Sequence, residues 1–192
     1  MTYAVFFDVL PKKGFADAYF GLAGGLKPIV EKIPGFISVE RFESLEQAGW
    51  YLSYSRWVDE DALGAWRCQQ DHHEAQVCGR SLVLEDYRLR VGSTLSDKGS
   101  NSTKPCIAAL FGEFEKVKMA AESTQKLFNK AVRLFKGVIN PARGIALLDF
   151  DLANVLEVKA TMADQELIDL GLYEIQRDYG MFNRAQAPEV FA

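Results

Sequence analysis

The stretch that decides the fold runs from Pro34 to Val91 and contains three patterned segments. These segments are PGFISVERF (34–42), GWYLSYSRWVDEDALGAW (49–66) and HHEAQVCGRSLVLEDYRLRV (72–91). β-Branched and aromatic residues dominate the first segment and the beginning of the second, which is typical of strands. A helical pattern follows, and the last segment ends in another run typical of a strand. The stretch therefore predicts strand, hairpin turn, strand, helix and strand.

Turn and capping residues set the boundaries of these elements. Strands are predicted at 36–43 and 50–57, joined by the polar turn 44–49. Asp59 is a suitable N-cap for the helix, and Gly79 is its expected end. The chain then returns as a strand over residues 82–91.

The N-terminal segment supplies one more strand and one more helix. Tyr3–Leu10 is apolar at almost every position, so it predicts a strand that is covered on both faces. Apolar residues then recur at steps of three and four, which predicts a helix that ends at Pro34 and Gly35. These residues are Phe15, Tyr19, Leu22, Leu26, Ile29 and Ile33. The resulting order, βαββαβ, is that of a ferredoxin-like domain.

A polar, Gly/Ser-rich segment, Gly92–Lys104, is the predicted boundary between two domains. We place the domains at residues 1–95 and 105–192, with 96–104 as the linker. The second half has a less regular pattern. It predicts a strand at 106–115, a helix from 127 to 138, a strand at 144–151, a fourth element at 155–162 and a helix at 164–179. The order βαββα matches the first half without its last strand.

The predicted fold class is therefore α+β, with antiparallel ferredoxin-like sheets packed as an α+β barrel. Helices cover only one face of a ferredoxin-like sheet, and the first sheet carries aromatic residues on both faces. Its other face would expose a large apolar patch unless a second sheet covered it. The chain's own second half or the first half of another chain could supply that sheet, and we favour the second half. A homodimer is the alternative. Either arrangement predicts a pocket enclosed between two sheets.

Composition restricts the possible partners. Of 192 residues, 48% are apolar and 25% charged, as in ordinary globular proteins, and the net charge is −4. Residues 1–95 carry 10 basic and 13 acidic side chains, and residues 96–192 carry 12 and 13. Since neither half is basic, neither nucleic acid nor an anionic membrane is an expected partner.

The three cysteines, Cys68, Cys78 and Cys106, lie in no metal-binding spacing and are interpreted as reduced, packed side chains. The N-terminus has no signal-peptide pattern, and no apolar stretch is long enough to span a membrane. We therefore expect a cytoplasmic protein.

The 34–91 stretch resembles the antibiotic biosynthesis monooxygenase family, whose ferredoxin-like domains pair as α+β barrels. The resemblance covers about half of the chain and is carried by short motifs. They are Trp66-Arg67, Asp71-His72, Gln76-Val77-Cys78-Gly79-Arg80 and Asp86-Tyr87. Haem-degrading relatives place a histidine ten residues after a tryptophan, but this chain has Gln76 there, so haem is not an expected cofactor.

The resemblance and helix geometry favour different histidines. Family members often have a proline break where Gln70 stands, and the motif then favours His72. In an uninterrupted helix, His73 would lie about 20° from Trp66 around the axis and His72 about 120° away. We favour His72.

The resemblance implies oxidation of an aromatic or quinone-type small molecule without metal or flavin, so no cofactor is expected. Such chemistry needs an apolar pocket, a base and polar groups that stabilise the developing anion. We assign His72 as the base and Trp66 as a wall residue beside it. The candidate substrate-binding residues are Phe6, Asp8, Tyr54 and Arg56. For Asp8, which is unusual in an apolar strand, Arg56 or Arg88 is the expected structural partner.

The sequence leaves a second function open. A protein of the same fold could bind a small molecule, for example in a stress response, without turning it over. Phosphate-binding glycine loops, nucleophile elbows and the HExxH zinc motif are absent from the sequence. With only two histidines, adjacent to each other, a histidine-rich metal site is not expected.

Overall fold

A computed structural model describes residues 1–95, 104–162 and 168–188, and it contains two βαββαβ units. The first unit comprises β1 (Tyr3–Pro11), α1 (Ala16–Val30), β2 (Phe36–Ser44), β3 (Tyr51–Trp57), α2 (Glu60–Arg67), α3 (Gln70–Cys78), a π-helical turn (Gly79–Val83) and β4 (Leu84–Thr94). The second comprises β5 (Pro105–Glu113), α4 (Phe114–Phe128), β6 (Val132–Gly137), β7 (Arg143–Asp151), a 3₁₀ turn (Leu152–Asn154), α5 (Val155–Met162) and β8 (Ile168–Gly180).

The eight strands close into a single antiparallel barrel within one chain. Their order is β1-β3-β2-β6-β7-β5-β8-β4, and β4 pairs with β1 to close it. The two units meet at two seams, where β2 pairs with β6 and β4 pairs with β8. The predicted α+β class and the two ferredoxin-like units are confirmed. The predicted linker, 96–104, lies outside the described residues except for Lys104.

Along each strand, successive side chains point alternately into the barrel interior and into the layer beneath the helices. In β1, Ala4 and Phe6 face the interior, where they pack with residues of both units. Val5 and Phe7 face outward and pack beneath the first unit's helices. This alternation explains why β1 is apolar at almost every position, as the sequence indicates.

The second half corrects the sequence prediction in three elements. The helix predicted at 127–138 ends at Phe128, because Asn129 adopts a left-handed conformation (φ 48°) that terminates it. The residues that follow form β6. Residues 155–162 form a helix. Residues 168–179, predicted as helix, belong to the long strand β8, and 164–167 lie outside the described residues.

In the first unit, the predicted helix over 60–78 is broken. It ends at Arg67, and α3 begins at Gln70 after Gln69 adopts an extended conformation (ψ 131°). The second piece, α3, ends at Cys78 with Gly79 as its C-cap, as predicted, and a π-helical turn then continues the chain to Val83. No helix within the described residues is both long and apolar enough to cross a membrane.

Candidate functional site

A cavity of about 280 Å³ lies between the outer face of the first unit's sheet and the helices above it. Side chains of β1, β3 and β4 form its floor, and α1, α2 and α3 form its roof. Its walls are largely apolar, among them Val5, Phe7, Leu22, Trp57 and Val91. This volume is close to the lower end of the range for small-molecule sites. The cavity is therefore the candidate functional site.

His72 and Trp66 form part of the cavity wall, as predicted for Trp66 and for the favoured histidine. Their rings stack with centroids 4.1 Å apart and planes 15° from parallel. Trp66 in turn stacks on the fully buried Trp57, with centroids 6.4 Å apart. The imidazole is therefore held in one orientation by a row of aromatic rings.

The hydrogen bonds of His72 assign its tautomer. Nδ1 lies 3.0 Å from the carbonyl oxygen of Trp66, which can only accept, so Nδ1 carries the proton. Nε2 is then unprotonated, and its lone pair accepts a hydrogen bond from the amide nitrogen of Gln76 (3.3 Å). Nε2 is consequently the atom that can accept a proton or a hydrogen bond from a ligand.

Burial lowers the pKa of His72 to about 4, and the charge of His73 acts in the same direction. The hydrogen bond to Trp66 opposes this change. The imidazole is therefore neutral at physiological pH. It can act as a hydrogen-bond acceptor there, but it is a weak base.

The break between α2 and α3 brings His72 to Trp66. Gln69 leaves the helical conformation, and its side-chain oxygen accepts a hydrogen bond from the backbone N–H of His72 (2.8 Å), which caps α3. A straight helix would have favoured His73, which does not line the cavity. The break comes one residue before Gln70, where the family's proline is often found.

Phe6 and Tyr54, two of the predicted substrate contacts, lie inside the barrel instead. Their rings stack at 5.3 Å, and the Tyr54 hydroxyl lies 2.9 Å from that of Tyr173. Phe6 is fully buried, and Tyr54 is 4% exposed. Burial, followed by Tyr173, raises the pKa of Tyr54 far above its usual value. Both residues belong to the core that joins the two units.

Asp8 and Arg56 are also absent from the cavity wall. Asp8, 6% exposed, forms ion pairs with Arg90 (3.1 Å) and Arg133 (2.8 Å), rather than with Arg56 or Arg88 as predicted. Arg56 donates a hydrogen bond to Ser38. The cavity beneath the helices is thus not the predicted pocket between the two sheets. Strand alternation directs these even-numbered side chains into the filled barrel interior, and the cavity lies on the opposite face.

The second unit supplies cavity residues that the sequence analysis missed. Arg177 and Tyr179 come from β8, and Arg184 and Pro188 come from the segment that follows it. Because β8 was predicted as a helix of another domain, nothing in the sequence connected it to Trp66. A period of two over Ile168, Leu170 and Leu172 was the one available signal of a strand.

No cluster of three or more His, Cys, Asp or Glu side chains suited to a metal ion occurs within residues 1–95, 104–162 and 168–188. The three cysteines are free thiols. Burial raises the pKa of Cys106 to about 11, so this thiol is protonated at neutral pH.

Comparisons with known proteins agree with the sequence motifs. The sequence profile of the antibiotic biosynthesis monooxygenase family matches residues 2–77. A protein of Pyricularia oryzae named jasmonate monooxygenase ABM is 31% identical over 215 aligned positions, covering 98% of each chain. The Bacillus subtilis protein YqjZ, described as uncharacterized, is 32% identical over 90 positions, 46% of this chain and 75% of its own. The solved structure of SnoaB, a cofactor-independent oxygenase from Streptomyces nogalater, has 12% identity and a TM-score of 0.44 over 52% of this chain and 98% of its own.

Proposed function

The chain belongs to the antibiotic biosynthesis monooxygenase family, and we propose that it oxidises an apolar small molecule in the cavity beneath α1, α2 and α3. The observation that carries this proposal is a neutral imidazole, stacked on Trp66, on the wall of an apolar cavity. His72 is the proposed proton acceptor. Trp66 holds the imidazole ring and one face of the substrate.

The proposed reaction draws its electrons from the substrate itself. His72 Nε2 accepts a proton from an acidic C–H or O–H group, and the resulting carbanion or phenolate reacts with dioxygen. For an activated methylene the balance is CH₂ + O₂ → C=O + H₂O. The carbon loses four electrons, one oxygen atom enters the product, and the other leaves as water. This chemistry needs no metal or flavin.

Cationic side chains compensate for the weak basicity of His72. With a pKa of about 4, the imidazole alone cannot remove a proton from an ordinary phenol efficiently. Arg41, Arg67 and Arg80 also line the cavity, and positive charge lowers the pKa of a nearby acid. The arginines would therefore favour the anionic form of the substrate, which is the form that reacts with dioxygen.

Two substrate classes are candidates. The first is the aromatic phenol or quinol expected from the family's chemistry. The second is jasmonate, because the relative that aligns over 98% of this chain bears the name jasmonate monooxygenase. Hydroxylation of an unactivated C–H group consumes two electrons from outside, so that assay requires an added reductant such as NADPH.

Oxygen uptake and product mass test the proposal. We expect consumption of dioxygen and incorporation of one atom from isotopically labelled gas into the product of an anthrone, a quinol or jasmonate. His72→Gln should lower kcat by about 100-fold, the usual contribution of a general base. His73→Gln, which alters the neighbouring ring outside the cavity, is the matched control and should retain activity.

The contact of Gln76 with His72 favours a second function, small-molecule binding without turnover. The amide nitrogen of Gln76 donates a hydrogen bond to Nε2 of His72 (3.3 Å). If a bound ligand cannot displace this amide, the protein binds a small molecule without turnover. Gln76→Ala separates the two functions. Faster oxygen uptake in this variant indicates that the amide restrains a working base, whereas binding without uptake in either protein indicates a binding protein.

A further inference from the structure

The cavity has one strongly cationic end, and the second unit contributes much of it. Five arginines and one lysine line the described part of the cavity wall, and no aspartate or glutamate does. Arg177 lies on β8 and Arg184 on the segment after it, while Arg67 comes from the last turn of α2. Because β8 pairs with β4, two arginines of the C-terminal half, Arg177 and Arg184, lie at a cavity that the N-terminal half forms.

These three arginines surround Tyr179. The Arg184 guanidinium lies 5.9 Å from the Tyr179 ring centre and donates a hydrogen bond to the Tyr87 hydroxyl (2.5 Å). Burial raises the pKa of Tyr179, whereas the positive charges of Arg177, Arg184 and Arg67 oppose that rise. All three cations therefore act on the same hydroxyl at this end of the cavity. We call Arg67, Arg177 and Arg184 the cationic end.

Two of these side chains have hydrogen-bonding capacity that the described residues do not use. The Nε–H groups of Arg67 and Arg177 are buried and have no acceptor. Within the described residues Arg177 forms one ion pair, with Glu60 (2.5 Å), and neither Arg67 nor Arg184 forms one. A buried N–H group without a partner destabilises a protein by about 1–3 kcal/mol, and more if it is charged. Both guanidinium groups line the cavity wall, so an anionic ligand there would balance their positive charge.

We propose that the cationic end binds the carboxylate of an apolar monocarboxylic acid, whose hydrocarbon body fills the cavity towards Trp66. This inference rests on the proposed function only in taking the cavity as the ligand site. Planar guanidinium groups suit a carboxylate, because each can donate two parallel hydrogen bonds. The second unit thereby determines ligand specificity, although its own helices enclose a solid core.

A matched pair of fluorescent probes tests the proposal without requiring turnover. 8-Anilinonaphthalene-1-sulfonate carries an anionic group, and N-phenyl-1-naphthylamine has the same aromatic body without it. We expect the intact protein to bind the sulfonate at least about tenfold more tightly, which corresponds to about one charge-assisted hydrogen bond. The two dyes should displace each other, because they share the aromatic part of the site. Equal affinities would overturn the proposal.

Substitutions then locate the anion. Arg67→Gln and Arg177→Gln should each weaken sulfonate binding by about tenfold, because each removes a charged donor, while the affinity for the neutral dye stays the same. Arg143→Gln is the control, since Arg143 lies on β7, near Glu40 and Phe111, and not in the cavity wall. Equal loss of both dyes in the Arg177 variant would show that Arg177 maintains the cavity's shape, which contradicts the proposal.

The result is independent of the oxygen-uptake assay. Selective binding of the sulfonate without turnover of any substrate would support the cationic end while contradicting the monooxygenase function. Turnover of neutral and acidic substrates with equal kcat/KM would support the monooxygenase function and overturn the carboxylate site.

Discussion

His72 is held neutral by its surroundings, and this links the site to the stability of the protein. The folded pKa is about 4, against 6.5 for the exposed side chain. The unfolded chain therefore binds a proton first as the pH falls, and this stabilises the unfolded state. Stability from His72 is fully present above pH 6.5 and is lost progressively down to pH 4. The loss should reach about 2–3 kcal/mol.

Urea unfolding between pH 7 and pH 4 measures this loss. Other carboxylates also titrate there, so the informative quantity is the difference between proteins. His72→Gln should lose about 2–3 kcal/mol less than the wild type over that range. Parallel curves for the wild type and His72→Gln would show that the folded pKa of His72 is near normal.

Asp8 illustrates a buried charge with a structural role. It accepts hydrogen bonds from Arg90, which is 1% exposed, and from Arg133 of the second unit. Asp8→Asn would leave two guanidinium groups beside an uncharged amide. Arg90 would keep its ion pair with Asp149 (2.7 Å), so we expect the free energy of unfolding to fall by about 3 kcal/mol, the lower end of the range for buried pairs that lose one partner. Urea denaturation at neutral pH measures it.

Asp178→Asn is the control for the Asp8 variant. Asp178 pairs with Arg88 at 2.6 Å, but the Arg88 side chain is 52% exposed. Removing this pair should lower the free energy of unfolding by about 1 kcal/mol or less. If both variants lost the same amount, burial would not explain the effect at Asp8.

At the scale of elements, the break between α2 and α3 is the feature that forms the site. Gln69→Ala removes the side-chain cap from α3 and should lower stability by about 1 kcal/mol. Asp59→Ala removes the equivalent cap from α2, where Asp59 accepts from the backbone N–H of Ala62. The two variants should be equally destabilised, but Gln69→Ala should weaken binding of N-phenyl-1-naphthylamine more, because α3 carries His72. Equal binding would mean that the cap does not position the cavity wall.

The two halves of the sequence differed in how far their elements could be predicted. In the first half, Gly35 directly precedes β2 and Asp59 caps α2, as predicted, but α1 ends at Val30 rather than at Pro34. In the second half, α4 continues directly from β5 at Phe114, without a loop or a side-chain cap. The strand β6 has buried apolar residues on both of its faces, so the apolar residues of Val132–Gly137 do not alternate with polar ones. Their spacing therefore resembles that of a helical stripe.

The site was predictable only in part, because sequence patterns report local structure. Trp66 and His72 lie six residues apart and were found from one motif. Arg177 of β8 and Arg184 after it lie more than 100 residues away, and the strand pairing between β4 and β8 brings them to the cavity. Phe6, Asp8, Tyr54 and Arg56 were assigned to the wrong face, since alternation separates the two faces without indicating which one holds the cavity.

At the scale of the whole molecule, the two units share a topology, but the described helices of the second unit pack closely on their sheet. Small residues of α4, Ala120 and Ala121, pack among buried side chains of the second unit's sheet. In the first unit, the broken helix α2–α3 and the π-helical turn precede β4 in the chain, and their side chains line the cavity together with those of α1. The first unit therefore holds the candidate site, and the second closes the barrel and contributes two of the three arginines of the proposed cationic end.

Because the barrel closes within one chain, the first half alone should expose surfaces that the second half covers. Residues 1–95 alone would lose β6 from the edge of β2 and β8 from the edge of β4. Their sheet would also expose the interior face that carries Ala4, Phe6, Phe42, Leu52 and Tyr54, all buried in the full chain. An apolar face with two open edges favours association.

We expect fragment 1–95 to aggregate or to dimerise through this face, with two copies completing an eight-stranded barrel. Light scattering coupled to gel filtration measures its mass, and binding of an apolar dye reports the exposed face. Phe6→Glu in the fragment should disrupt the dimer, because each copy would bury a carboxylate in the interior. Glu31→Gln, at the exposed C-terminal end of α1, should leave the association unchanged. A soluble, monomeric fragment with no enhanced dye binding would contradict the role assigned to the second unit, since the first sheet would then need no cover.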